Sequence, residues 1–249
     1  MLLLAERNKY STMDNKYSLT LVFGSYKEGE NLKKILPRTI EVLSENIADF
    51  EILVIDTSVP LDNTREICAI FPQVRYINRM GGDSYGMMFR TAQVQAKKQK
   101  IAFMDADGSH NISDLLNMYN VCGEYDVVIG SRYTEGGKSD NPFFLRIQSH
   151  ILNIVFRYLL GIKAKDISNS MRIYDTKMLK AVELKANNFD ILQEVLIKLQ
   201  AGNKHFKIKE IPVHFYKRDE GMSHRKFFPF LISFSKTFIY LFKIKWFNR

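Results

Sequence analysis

The chain has 249 residues, 46% of them hydrophobic and 25% charged, a balance that excludes disordered and collagen-like classes and fits one large α/β domain. Its two cysteines, Cys68 and Cys122, cannot build a disulfide framework, and neither has a Cys or His at metal-site spacing, so both read as buried thiols. A formal net charge of +9 points to an anionic partner: nucleic acid, nucleotide, phosphate or a negative membrane surface.

Residues 1–17 read as a polar leader, and Met1–Ala5 is too short for a signal-peptide core. From there short apolar runs alternate with helical patterns. Ser18–Phe23 reads as a strand, and Glu30–Glu45, with Leu32, Ile35, Leu36, Ile40 and Leu43 at helical spacing, as a helix. Phe50–Ile55 is the next strand, Thr64–Ile70 a helix, Val74–Ile77 a short strand and Tyr85–Lys98 a helix. Lys100–Met104 is a strand, Asp114–Tyr119 a helix and Tyr125–Ile129 a strand. Such alternation predicts βαβ units and a mainly parallel twisted sheet with flanking helices. The second half is less regular: helices at Leu145–Leu160, Leu179–Leu184 and Ile191–Gln200, then a strand over Phe206–Phe215 in which Pro212 marks an edge or a bulge.

Parallel sheets bind ligands at the carboxyl ends of their strands. The residues there are Gly24-Ser25-Tyr26-Lys27-Glu28, Asp56-Thr57-Ser58, Asp105-Ala106-Asp107 and Gly130-Ser131-Arg132. This is a polar edge. No Gly-x-Gly-x-x-Gly follows the first strand and no Gly-Lys-Ser/Thr loop occurs, which disfavours dinucleotide-binding and P-loop folds. Asp105 and Asp107, one residue apart in extended chain, share a face and can hold a hard divalent cation, Mg²⁺ or Mn²⁺. Asp56 and Glu28 can accept hydrogen bonds from a base edge or ribose hydroxyls; Glu28 also suits a plain helix start.

These segments together resemble glycosyltransferase family 2, of the dolichyl-phosphate mannose synthase or polyprenyl-phosphate glycosyltransferase type. Met104-Asp105-Ala106-Asp107-Gly108-Ser109-His110 resembles that family's metal-binding segment, and Phe23–Glu28 with Glu30-Asn31-Leu32 its first-strand signature. Gly130-Ser131-Arg132-Tyr133 matches Gly-Ser-Arg-Tyr, Asp166–Arg172 resembles Asp-x-Thr-Ser-Gly-Phe-Arg, and Phe189–Glu194 resembles Phe-x-Phe-Gln-x-Glu. Ile211-Pro212-Val213 followed by Arg218, Gly221, Met222 and Ser223 completes a collinear match from Ser18 to Arg225. Departures are Gly24 for Pro, Lys27 for Asn, Thr57 for the second Asp of an acidic pair, Ser109 for Gln and Ser170 for Gly.

The resemblance implies a GT-A fold over residues 18–225 and a metal-dependent, inverting transfer from a GDP- or UDP-sugar to a polyprenyl phosphate. It implies nucleotide-sugar contacts from Ser25, Tyr26, Glu28, Asp56, Asp105, Ala106 and Asp107, and metal ligation by Asp105, Asp107 and Ser109. Acceptor phosphate would be docked by Arg132, Arg146, Ser149, Arg172, Arg218 and Ser223, with Lys217 and Arg225 as weaker candidates and Asp105, Asp107, Arg132 and Arg172 at the reacting centre. A lipid monophosphate is already a nucleophile and needs cationic docking rather than a base. A glycan hydroxyl, the alternative acceptor, would need a carboxylate base, for which Glu194 is the obvious candidate. A noncatalytic anion-binding module is the remaining reading; a nucleic-acid partner is disfavoured because the basic residues form no single block interleaved with aromatics.

Lys217–Lys226 reads as a flexible loop closing over the donor. In residues 226–249, Ser233, Lys236, Tyr240 and Lys243 make a narrow polar stripe on an otherwise apolar helix ending near Trp246. That pattern predicts an amphipathic helix in the membrane interface, with the protein peripheral on the cytoplasmic face. No stretch reaches the roughly 18–20 uncharged apolar residues of a spanning helix.

Overall fold

The computed structural model describes residues 17–217, 236 and 238–246. Strands β1 (Leu19–Gly24), β2 (Phe50–Asp56), β3 (Val74–Asn78) and β4 (Lys100–Asp105) alternate with helices α1 (Gly29–Asn46), α2 (Thr64–Ala69) and α3 (Tyr85–Gln95). Next come α4 (Ile112–Tyr119), β5 (Val127–Ser131), the short β6 (Lys138–Ser139) and the long α5 (Phe143–Leu160). The chain continues through β7 (Arg172–Asp175), α6 (Thr176–Lys180), α7 (Ile191–Gly202), β8 (Ile208–Pro212) and β9 (His214–Phe215). Residues 238–246 are helical.

The main sheet has seven strands in the order β3-β2-β1-β4-β7-β5-β8. All neighbours are parallel except β7, which runs antiparallel to both β4 and β5. Leu21, Phe23, Ile52 and Val54 face one core cluster and Val22, Leu53 and Ile55 the other, so both faces of the sheet are buried, as the near-continuous apolar strands require. Helices start where side chains can take orphan N–H groups: Ser84 accepts from Met87 N, Asn111 from Ser113 N and Asp175 from Met178 N. Gly161, in a left-handed conformation at φ 59°, ends α5.

The expected elements appear with ends moved by a few residues. Two differences are substantive. β7 was not expected, because four residues carrying an arginine give no alternation to read. The run 206–215 divides into β8 and β9, with Pro212 closing β8 at the sheet edge, where its missing N–H leaves no ladder bond unmade. The helix expected over Leu179–Leu184 lies instead at Thr176–Lys180.

Of the expected tail, residues 236 and 238–246 are described, and Ser233 of its polar stripe lies outside them. Leu241 is fully buried, and Phe238, Tyr240, Phe242 and Ile244 pack against the protein's own core. Phe238 meets Phe156 of α5 edge-on at 5.8 Å, the Tyr240 hydroxyl donates to Glu194 at 2.8 Å, and Lys245 Nζ donates to the Leu160 carbonyl. Of the expected polar stripe, Tyr240 points inward; Lys236, Ile239, Lys243 and Trp246 are exposed. The larger exposed apolar surface belongs to α5, where Phe143 (75% exposed), Ile147, Ile151, Ile154 and Tyr158 (76%) are exposed.

Candidate active site

The carboxyl ends of β1 and β4 open onto a cavity of about 220 Å³ whose lining includes Gly24, Ser25, Tyr26, Arg79, Asp105 and Phe189. Tyr85 and Phe189 stack at its mouth with ring centroids 4.2 Å apart. Gly24 ends β1 against Met88, whose terminal methyl would lie 2.9 Å from an added Cβ, so a side chain there would push into the cavity wall. Lys27 holds a left-handed φ of 61°, the one non-glycine to do so among the described residues. Such a conformation costs of order 1–3 kcal/mol and clusters at functional loops.

Arg79 is the buried organiser of this floor. Its guanidinium donates to the carbonyls of Asp56 (2.9 Å), Asp83 (3.0 Å) and Ser25, tying the ends of β1 and β2 to the turn that starts α3. Burial lowers its pKa, with Asp83 and Asp56 acting against that. Asp83 in turn accepts from Ser58 N at 2.7 Å and Ser58 Oγ at 3.0 Å, which hold its carboxyl below the ordinary range.

Asp56 is fully buried. Its Oδ1 accepts from Thr57 N at 2.8 Å and its Oδ2 from the Tyr76 hydroxyl at 2.9 Å. Burial and this carboxylate push the Tyr76 hydroxyl up to about 12. The carboxylate expected to meet a nucleotide is therefore covered by Thr57 and Tyr76. Ser25 is also buried and shares a hydrogen bond with Thr64 Oγ1 at 3.2 Å, while Tyr26 is half-exposed at the rim. Glu28, at the α1 N-cap, accepts from Asn31 Nδ2 at 2.6 Å.

Asp105 is partly exposed at the end of β4, and its side chain makes no hydrogen bond with a described residue. Asp107 is buried and its Oδ1 accepts from Ser109 N at 3.0 Å and from Ser109 Oγ. Ser109, expected as a metal ligand, is fully buried behind Asp107 and supports that carboxylate; Ala106 between the two aspartates is buried too. Among the described residues no group of three or more His, Cys, Asp or Glu converges on a point. Two carboxylates at one strand end, that of Asp105 free of hydrogen bonds to described residues, nevertheless suit Mg²⁺ or Mn²⁺, since Mg²⁺ commonly binds one or two carboxylates and completes its shell with water and substrate phosphate.

A relay fixes this loop. Asp105 N–H donates to His110 Nδ1 (3.1 Å), so the ring proton sits on Nε2, which donates to Asn169 Oδ1 (3.1 Å). Asn169 Nδ2 then donates to the Gly130 carbonyl (2.7 Å). The ends of β4 and β5 and the segment before β7 are thus one hydrogen-bonded unit.

The basic side of the site centres on Arg132, just after β5. Its Nε and Nη2 make a two-bond clasp on Asp166, both at 2.8 Å, and Nη2 also reaches Ser168 Oγ at 2.8 Å and Ser149 Oγ at 3.3 Å. Burial alone would raise the Asp166 carboxyl, but the guanidinium outweighs it and holds that carboxyl below the ordinary range. The fork expected to grip a phosphate is occupied, and only the Nη1 edge of Arg132 remains. Arg146, one turn before Ser149 on α5, is exposed and has no side-chain partner among the described residues.

Arg172 does not join this group. It is fully buried and donates to the carbonyls of Asn169 (2.9 Å), Leu192 (2.7 Å) and Ile167 (2.6 Å). Its donors bind loop carbonyls that burial would otherwise leave unmade, so the expected acceptor role is corrected to a structural one. Glu194 is likewise fully buried and saturated. It accepts from Lys185 N (3.0 Å), Ala186 N (2.8 Å) and Tyr240 (2.8 Å), and pairs with Lys198 at 2.8 Å. Burial would raise its pKa, yet these donors hold it below the ordinary value, the opposite of what a general base at neutral pH requires. Arg218, Ser223 and Arg225 lie outside the described residues, as does nearly all of the expected closing loop; Lys217 is exposed.

Sequence reasoning missed Arg79, Tyr76 and Asn169. Arg79 follows β3 directly, so the strand-end rule that found the other segments would have found it; Asn169 lies within the matched segment Asp166–Arg172 without being singled out there, and nothing local marks Tyr76.

The fold matches solved structures of glucosyl-3-phosphoglycerate synthase from Mycobacterium tuberculosis. One, in complex with Mn²⁺, UDP and phosphoglyceric acid, has a TM-score of 0.70 at 12% identity over 91% of this chain and 79% of that one. Another, with Mn²⁺ and UDP-glucose, has a TM-score of 0.69 at 12% identity, covering 97% and 83%. At that identity the likeness establishes the GT-A fold. The sequence profile of glycosyl transferase family 2 matches residues 21–183, and the chain belongs to that family. Among curated relatives, polyprenol monophosphomannose synthase of Mycolicibacterium smegmatis is 28% identical over 82% of this chain and 79% of its own length. Undecaprenyl-phosphate mannosyltransferase of Micrococcus luteus is 27% identical over 81% and 85%. Dolichol-phosphate mannosyltransferase of Pyrococcus furiosus is 28% identical over 84% of this chain, which spans 59% of that protein's length.

Proposed function

We propose that the protein transfers a sugar from a nucleoside-diphosphate sugar, GDP- or UDP-linked, to the phosphate of a polyprenyl phosphate, with inversion and with Mg²⁺ or Mn²⁺. The observation that carries the proposal is the pairing of an acidic strand end at Asp105 and Asp107 with a basic, hydroxyl-lined niche at Arg132, Ser149 and Ser168 that offers no free carboxylate base. A phosphate monoester needs none. Its charge needs donors, which Arg146, Ser149 Oγ and the Nη1 edge of Arg132 supply. The names of the three curated relatives, each a lipid-phosphate mannosyl enzyme, support the same acceptor.

Each group then has a task. Arg79 and the Tyr76–Asp56 pair hold the floor on which a nucleotide rests, and Tyr26, Tyr85 and Phe189 supply the flanking rings. His110 and Asn169 fix the backbone of Asp105 at the reacting edge. Asp105 and Asp107 would hold the divalent ion, which when bound neutralises the diphosphate leaving group. Asp166 keeps Arg132 from swinging into solvent, so the niche is formed before the acceptor arrives. The acceptor oxygen approaches the anomeric carbon opposite the departing diphosphate, which inverts the configuration.

The exposed apolar face of α5, with Arg146 and Arg157 beside it, takes the membrane-contact role first assigned to the tail, in the manner of an interfacial helix with cationic flanks. It carries Arg146 and Ser149, so the surface that meets lipid is continuous with the acceptor niche. The protein then works as a peripheral enzyme at the cytoplasmic face.

The test is a transfer assay with GDP- and UDP-sugars and polyprenyl phosphate, following label into the organic phase. Arg146→Lys is expected to raise KM for the lipid several-fold with kcat little changed, because charge remains while the planar fork is lost. No transfer from any donor, or a product stable to mild acid, would overturn the proposal.

A further inference from the structure

One helical turn beyond the acceptor niche, α5 borders a second cavity of about 250 Å³, lined by Tyr133, His150, Asn153, Ile154, Arg157 and Lys165. That volume far exceeds the roughly 15 Å³ one water needs. The lining holds cations and donors and no carboxylate. His150, Asn153, Ile154 and Arg157 share one helix face by their spacing, and Tyr133 meets the His150 ring edge-on at 5.3 Å. The carboxylates bonded to this segment are already engaged. Asp166 clasps Arg132, and Glu210 accepts from the backbone N–H groups of Lys165 and Asp166 at 2.8 and 2.9 Å. Among the described residues nothing neutralises Arg157 or Lys165.

Asn153 makes this more than a patch of surface charge. It is 1% exposed, and its Oδ1 accepts from Ile167 N at 3.2 Å. That bond fixes which end of the amide is which. Nδ2, the other end, is buried without a hydrogen-bond partner among the described residues. A buried orphan donor costs about 1–3 kcal/mol, and here it belongs to a residue that lines a cationic cavity. The complement of two cations and a buried amide donor is an anion with several acceptor oxygens on one centre.

We infer that this cavity is a second phosphate-ester site, separate from the acceptor niche. It takes a phosphate group through Arg157, Lys165 and Asn153 Nδ2, with His150 and Tyr133 closing the sides. The phosphate can come from a phospholipid headgroup, since the exposed face of α5 adjoins the cavity, or from a soluble ester. The chemistry is the same, and it stands whether or not the protein moves sugars.

Binding to the full-length protein is measured by calorimetry with inorganic phosphate and with a short-chain phosphatidylglycerol kept below micelle formation. Cosedimentation is measured with phosphatidylcholine vesicles with and without phosphatidylglycerol. No donor sugar is present, so failure here and failure of the transfer reaction are read separately. Asn153→Asp keeps the acceptor for Ile167 N and replaces the free donor with an acceptor. It and Arg157→Gln are expected to weaken phosphate binding roughly tenfold or more, the loss of one charge-assisted bond. Lys163→Gln removes the same charge from an exposed residue outside the lining and is expected to leave binding unchanged. Should Asn153→Asp fail to fold, Lys165→Gln, an exposed change, takes its place. Vesicle binding that falls in the same variants assigns the site to a headgroup; loss confined to the small phosphates assigns it to a soluble ester. Absence of phosphate binding in the wild type overturns the inference, as does an equal loss in Lys163→Gln.

Discussion

Glu194→Gln separates the two chemistries a family 2 transferase can run. The substitution is isosteric, but it puts an NH₂ where donors converge. If the amide nitrogen takes the place of Oε2, it faces Ala186 N and Lys185 N; if it takes the place of Oε1, it faces Tyr240 and the Lys198 ammonium. Either way one or two charge-assisted hydrogen bonds are lost, at about 1.5–3 kcal/mol each. Lys198 is 19% exposed and can turn to water, which trims the upper end. A destabilisation of about 2–4 kcal/mol follows, and for a chain of this size a Tm lower by roughly 5–15 °C. Because the folded carboxyl titrates below the ordinary glutamate value, its contribution is complete above that ordinary value and is lost as pH falls through the depressed one. The Tm gap between wild type and variant should therefore be full at pH 7 and close in acid. Thermal melts across pH and transfer rates well below the variant's Tm provide the assay. The expected result is a less stable protein whose kcat stays within a few-fold of wild type. A variant as stable as wild type but inert would show that Glu194 is a base and that the acceptor is a hydroxyl.

Asp105→Asn and Asp107→Asn are each expected to cut turnover by roughly a hundredfold or more, with melting little changed for partly exposed Asp105; Mn²⁺ titration followed by electron paramagnetic resonance should show weakened binding in both. Arg172→Met is expected to lower Tm steeply or prevent folding, because buried carbonyls of residues 167, 169 and 192 lose their donor; a stable variant defective only in acceptor binding would restore the role first expected of it. Ile151→Glu with Ile154→Glu on the exposed face of α5 should leave Tm within about 2 °C and abolish vesicle binding, and unchanged sedimentation with vesicles would remove α5 from the interface.

The sheet and most of the site edge were legible because parallel strands are written as unbroken apolar runs, and their ends are where chemistry collects. Asp105, Asp107 and Arg132 were found that way. What could not be read is which polar groups the fold turns inward. Arg172 and Glu194 look like reactive residues in sequence and are structural because α7 and the 185–186 turn close over them. Asp56 reads as a ligand contact, and Tyr76, a residue on the neighbouring strand, covers it. Over residues 238–246 the apolar side of the tail is turned toward the core, with Phe238 against Phe156 of α5. Periodicity reports that a face will be covered and is silent on what covers it.

The reversed strand β7 has a consequence for how the chain matures on the ribosome. The block β3-β2-β1-β4 can pair internally as soon as residue 105 is out, although the far edge of β4 waits for β7. β5 cannot: both its neighbours, β7 and β8, are made after it. Until Arg172–Asp175 is synthesised and slides between β4 and β5, the apolar edge Val127–Ile129 has nothing to pair with. That interval is the stretch of biosynthesis in which this protein offers a bare strand to its surroundings. A slow codon run or a lesion just before residue 172 would lengthen it.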